Sequence, residues 1–91
     1  MSASIARNVV ISGRVQGVFF RDTMRRRARS RGVSGWVSNR PDGTVRAHLE
    51  GPPDAVAEIV LWCRTGPRGA EVEELEVTVA DPEGADGFVV R

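Results

Sequence analysis

The segment from Thr44 to Glu50 constrains the fold of this chain more than any other. Val45, Ala47 and Leu49 alternate with Thr44, Arg46, His48 and Glu50. A period of two is the mark of a strand with one face buried and one in water. The segment follows Arg40-Pro41-Asp42-Gly43, in which proline presets one turn dihedral and Asp-Gly supplies a residue tolerant of positive φ. On the other side of that turn, Val33 to Asn39 carries Trp36 and Val37 and reads as the partner strand. The two strands form a hairpin, so the core lies against one face of a sheet.

The flanking segments supply what covers that face. Asn8 to Ser12 is a short β-branched run that reads as a first strand. Gly13 to Arg21 is a loop with glycines at 13 and 17, and Asp22 to Arg31 reads as a helix closed by Gly32. Phe20, Met24 and Ala28 fall four apart on one stripe of that helix, and arginines cover the rest. Gly51-Pro52-Pro53 breaks the chain before a second helix, in which Val56, Ile59, Val60 and Cys63 recur at helical spacing until Gly66-Pro67. Leu75, Val77 and Val79 alternate as a further half-buried strand, and Phe88 to Val90 is a short terminal one. The order is βαββαβ with an extra C-terminal strand. It predicts an α/β (α+β) sandwich of the ferredoxin-like kind, an antiparallel sheet with both helices on one face. The 91 residues are expected to form a single domain over 1–91, with residues 1–6 as a flexible N-terminal tail.

Several functions are excluded by what the chain lacks. No apolar run approaches the roughly 18–20 residues of a membrane helix, and the N-terminus offers no signal-peptide core. One cysteine, Cys63, cannot form an internal disulfide, and no Cys/His cluster suggests a metal. The reading is a cytoplasmic protein with no membrane partner, no metal and no cofactor, expected as a monomer. All 13 basic residues are arginine, so lysine-dependent phosphate loops and Schiff bases are absent. Residues 1–46 carry ten arginines against Asp22 and Asp42, while residues 47–91 carry three against ten acids. The electropositive front half points to an anionic ligand.

The Gly13–Arg21 loop is the place for one. Glycines at 13 and 17 let successive N–H groups turn into one concavity, and the helix that follows adds free amides and the positive end of its dipole. Arg21, at its mouth, presents a planar fork of donors suited to phosphate oxygens. From glycine spacing alone, a plain tight turn with a solvent-facing arginine is the commoner reading. Cys63 sits on an apolar stripe and reads as a small core residue; His48 reads as a solvated histidine on a polar strand face. Asp22 suits the first turn of a helix better than nucleophilic chemistry. With no nucleophile, base or metal set in view, catalysis would rest on positioning and electrostatics. Asn39, at the end of the second strand, would serve this if the first and second strands end side by side, because an amide can hold a water in line. Its other reading is an ordinary turn-flanking residue.

Gly13-Arg14-Val15-Gln16-Gly17-Val18-Phe19-Phe20-Arg21, then Gly35-Trp36-Val37-Ser38-Asn39, then Asp42-Gly43-Thr44-Val45 resemble the signature of the acylphosphatase family. The likeness runs on through Glu50-Gly51-Pro52 and Trp62 to Phe88, over nearly the whole chain. It implies the ferredoxin-like fold and metal-independent hydrolysis of an acyl phosphate to carboxylate and inorganic phosphate, the latter also an inhibitor. It places the catalytic arginine at Arg21, the water-orienting asparagine at Asn39, and the phosphate-binding amides on Val15, Gln16, Gly17, Val18, Phe19 and Phe20. The chain departs from the family in carrying Arg40 where Thr or Ser is frequent. Two rivals remain at this level. The arginines at 25, 26, 27, 29 and 31 suggest a nucleic-acid-binding module of the same fold, although Thr44 to Glu50 lacks the aromatics that stack bases. Acylphosphatase-like domains also handle carbamoyl phosphate in hydrogenase-maturation proteins.

Overall fold

The computed structural model describes residues 3–91. Its elements are β1 (Ile5–Arg14), α1 (Phe20–Ser30), β2 (Ser34–Asn39), β3 (Val45–Gly51), α2 (Pro53–Cys63), β4 (Glu71–Ala80) and β5 (Phe88–Val90). The strands form one sheet in the order β4-β1-β3-β2-β5. All pairs are antiparallel except β2 with β5, and the hairpin of β2 and β3 aligns Val37 with Ala47. The expected ferredoxin-like βαββαβ sandwich with a short extra strand is therefore present.

Strand parity decides where the core lies. Val9 and Ile11 of β1, Val37 of β2, and Val45, Ala47 and Leu49 of β3 share one face and are fully buried. The helices cover that face: α1 lies on β2 and β5, and α2 on β1, β3 and β4. Phe20, Met24 and Ala28 of α1 and Val56, Ile59 and Cys63 of α2 supply the buried stripes that their spacing predicts. The rings of Phe20 and Trp62, 5.1 Å apart and inclined at 56°, join the layers of the two helices. Cys63 is a core residue, and burial pushes its thiol up to about 12, so it is protonated and inert at neutral pH.

Four expectations need correction. β1 starts at Ile5, so Ile5 and Ala6, expected in the N-terminal tail, are strand residues paired with Gly51 and Glu50. Met1 and Ser2 lie outside the described residues. β1 and β2 are not side by side, because β3 runs between them. Val79, read as half-buried, is 80% exposed, since the edge strand β4 extends past the cover of α2. His48 is not solvated but 1% exposed. The connection from β4 to β5 folds over the open face of the sheet, where Glu50 accepts hydrogen bonds from the amides of Glu83, Gly84 and Ala85. His48 is enclosed beneath it, with Nδ1 at 2.6 Å from Asn8 Oδ1 and Nε2 at 2.6 Å from Glu50 Oε2.

Candidate active site

The site forms where three segments end at the same edge of the sheet. β1 and β2 both run antiparallel to β3 and hence parallel to each other, so both C-termini point the same way. Val45 of β3 is level with Ile11 on one side and Asn39 on the other. Asn39 has the parity of Val37, which turns its side chain to the helix-covered face, toward the start of α1. The loop after β1 thus meets the end of β2 across a single intervening strand.

Gln16 ties the two together. Its Nε2 donates to the carbonyl of Arg40 at 2.8 Å and to that of Thr44 at 3.0 Å, so the loop is fastened to the β2–β3 turn. Only the backbone of Arg40 takes part, so this fastening does not depend on the side chain at that position. Val18, by contrast, packs against the core cluster and anchors the loop from beneath.

The loop presents unpaired donors. Gly17 takes φ 74° with open space where a Cβ would lie, and Phe19 takes φ 64°, a left-handed conformation uncommon for an aromatic residue. Phe19 is the N-cap of α1 and no side chain caps the helix there. The first helical bond runs from the Thr23 amide to the Phe19 carbonyl, so the amides of Phe20, Arg21 and Asp22 have no intrahelical partner. Among the described residues, no backbone carbonyl accepts from the amides of Gln16 to Phe19 either. Left-handed strain retained at such a place is characteristic of a binding loop.

These groups border a cavity of about 520 Å³. Of the residues singled out above, Val15, Gly17, Phe19, Phe20, Arg21 and Asn39 line it; Gln16 and Val18 support it from outside. Asp22, Arg25 and Val90 line it as well, and the sequence reading had assigned none of them a part in the site. The spacing of Arg21 and Arg25, one helical turn apart, was the available signal for the second arginine. Among the described residues Arg21 makes no hydrogen bond or ion pair, whereas Arg25 and Arg26 both meet Asp22. The Oδ1 of Asn39 is buried with no hydrogen-bond partner. The cavity therefore combines an uncommitted guanidinium, a run of uncommitted amides and an uncommitted side-chain carbonyl.

Metal ligands are not part of it. Among the described residues, the one group of His, Cys, Asp or Glu spaced for a metal is His48, Glu50 and Glu83. It lies on the open face of the sheet, and the carboxylate of Glu50 is already occupied by amides and by His48.

The fold and the site define a small α/β sandwich that presents backbone and arginine donors to a compact anion. Comparison with known proteins gives the family. The family model for acylphosphatase matches residues 7–90. An acylphosphatase of Natronomonas pharaonis is 50% identical over 91 residues, covering 100% of this chain and 99% of its own length. An acylphosphatase structure from Coxiella burnetii superposes with a TM-score of 0.93 at 33% identity, over 97% of this chain and 93% of that one. The acylphosphatase structure from Bacillus subtilis gives 0.92 at 34% identity, over 96% and 98% of the two chains. The chain belongs to the acylphosphatase family. It is a hydrolase, and its substrate is a small-molecule acyl phosphate. No helix of the described residues is long and apolar enough to cross a membrane.

Proposed function

We propose that the phosphoryl group of the substrate is held by Arg21 and by the backbone amides of Val15, Gln16, Gly17, Val18, Phe19 and Phe20, and that Asn39 orients the attacking water. The observation that carries this reading is the meeting of the unpaired Arg21, the unpaired loop amides and the unpaired Asn39 Oδ1 at one cavity. In the reaction, water oxygen bonds to phosphorus as the bond from phosphorus to the acyl oxygen breaks. The carboxylate leaves with the electron pair, and the proton lost by water ends on the phosphate. A carboxylate is a weak base and leaves without a proton donor, which suits a cavity that contains no histidine. Donors fixed before the reaction stabilise charge on the phosphoryl oxygens as it shifts. The soft χ2 of asparagine lets Oδ1 turn into the cavity and accept from the water.

The reaction needs no metal on this reading, and inorganic phosphate competes for the same cradle. A monomer is favoured by the sheet edges: β5 is only three residues long, and β4 carries Glu71, Glu73, Glu74 and Glu76, which oppose edge-to-edge pairing. The free thiol of Cys63 suits the cytoplasm. Nucleic acid is not favoured as the ligand, because two arginines in the second half of α1 and the Arg31 that caps it are engaged within the protein. Arg27 lies 5.1 Å over Trp62, Arg29 donates to the Phe88 carbonyl, and Arg31 pairs with Glu58 at 2.8 Å. Hydrolysis of acetyl phosphate after exhaustive chelation, with added orthophosphate as inhibitor, tests the reading. Turnover that persists and is inhibited competitively is expected. Loss on chelation restored by a divalent ion would overturn the metal-free mechanism.

A further inference from the structure

Arg25 lines the same cavity as Arg21 and has no part in the hydrolysis described above. Residues four apart on a helix share one face, so the two guanidinium groups serve one opening. Asp22 Oδ1 accepts from Arg25 Nη2 at 2.6 Å, and the Arg25 side chain remains 37% exposed. Its Nε is buried with no hydrogen-bond partner. Asp22 thus braces one edge of the fork against the cavity wall and leaves the remaining donors uncommitted. Asp22 is the lone carboxylate on a cavity lined by two arginines, so positive charge remains in excess there.

An acyl phosphate held by its phosphoryl group at Arg21 must direct its acyl part elsewhere in the cavity. Apart from Asp22, Arg25 and Asn39, the other lining residues are apolar, among them Phe19 and Val90, which are suited to a short hydrocarbon chain. Arg25 stands one turn farther along α1, and one turn is about 5.4 Å. That is the reach of a two-methylene chain ending in a carboxylate. We propose that Arg25 is a specificity-determining residue, which selects acyl phosphates whose acyl group carries its own carboxylate about one helical turn from the reacting phosphorus. This rests on the placing of the phosphoryl group at Arg21.

The test compares KM for acetyl phosphate, whose acyl group is uncharged, with KM for succinyl phosphate, whose acyl group ends in a carboxylate. In Arg25→Gln the ratio of KM for succinyl phosphate to KM for acetyl phosphate should rise about tenfold, the size of one charge-assisted hydrogen bond. The kcat values should change much less, because the phosphoryl contacts remain. Arg26→Gln removes an equal charge from outside the cavity, and its ratio should stay within about twofold of wild type, as for a solvent-screened group. An unchanged ratio in Arg25→Gln, or an equal rise in Arg26→Gln, overturns the role of Arg25 while leaving the hydrolase reading intact. Failure of the wild-type protein to hydrolyse either compound would instead overturn the hydrolase reading itself. Far-ultraviolet circular dichroism establishes that each variant is folded.

Discussion

Asn39→Ala separates chemistry from architecture, because the asparagine side chain makes no hydrogen bond to the rest of the described protein. Its Oδ1 is buried without a partner, and the strand pairing of Asn39 with Val45 is made by backbone alone. Truncation removes no protein hydrogen bond and relieves an unsatisfied carbonyl, which offsets the packing lost. The net change in stability should be within about 0.5 kcal/mol, or roughly 2–4 °C in Tm for a domain of this size. The rate should behave differently. A group that orients the attacking water acts chiefly in the transition state, and loss of one preorganised catalytic partner costs about 3–4 kcal/mol, or 10²–10³ in kcat. Inhibition by orthophosphate should be little altered, since Arg21 and the loop amides are untouched. Steady-state kinetics with acetyl phosphate and thermal unfolding on the same preparation read both quantities. A fall in Tm of about 8 °C or more with turnover unchanged, the mark of a lost turn-stabilising residue of about 1–2 kcal/mol, would refute the reasoning.

Arg21→Lys should recover little of the activity lost in Arg21→Ala, because a point charge does not reproduce a planar fork; kinetics showing near-wild-type turnover in either variant would remove Arg21 from the mechanism. Gln16→Ala breaks the fastening of the loop to Arg40 and Thr44. It should lower kcat/KM about tenfold and stability by about 1 kcal/mol, read by kinetics and urea unfolding. Glu50 is held below its usual 4.5: burial pushes it up, but the amides of Glu83 and Ala85 and the His48 ring outweigh burial. Its contribution to stability is therefore complete above the ordinary carboxylate range and is lost as pH falls through the lowered value. Glu50→Gln should lower Tm at pH 7 and flatten the acid limb of the Tm profile; an acid limb identical to wild type would remove Glu50 from the account.

What could be read in advance was whatever the chain repeats locally. The alternation of Val45, Ala47 and Leu49 and the stripe of Phe20, Met24 and Ala28 each follow from a single period, and both are buried as that period requires. Arg21 and Asn39 were legible through two motifs whose separation fits the family, and the structure brings both to one cavity. The burial of His48 was not legible. It depends on the segment from residue 81 to 87, which has no periodicity and reaches Glu50 across more than thirty residues of sequence. The N-terminal part of β1 before Asn8 was hidden because Ile5-Ala6-Arg7 mixes apolar and polar residues, and its pairing comes from β3 and β4. Arg25 was obscured by its neighbours: among so many arginines in and around one helix, only three-dimensional placement separates those that line the cavity from those, such as Arg27 and Arg31, that meet Trp62 and Glu58.

The division of charge along the sequence also becomes a division in space. The arginine-rich α1 packs over β2 and β5 at one edge of the sheet, while Glu71, Glu73, Glu74 and Glu76 lie on β4 at the opposite edge. Four strand spacings separate those edges, about 19 Å at roughly 4.8 Å each. The Debye length at physiological ionic strength is about 8 Å, so the far edge is screened from β5. Glu71, however, pairs with Arg14, next to the cavity-lining Val15, and is not screened from the loop in this way. A chain whose net charge is only +1 can thus present a local excess of positive charge to an anionic substrate. The acids meanwhile protect the long edge strand from pairing with another chain. Near-neutrality overall and attraction at the cavity are compatible here because Arg21 and Arg25 line the cavity against Asp22 alone, while the acids of β4 lie on the edge strand beyond β1 and outside that lining.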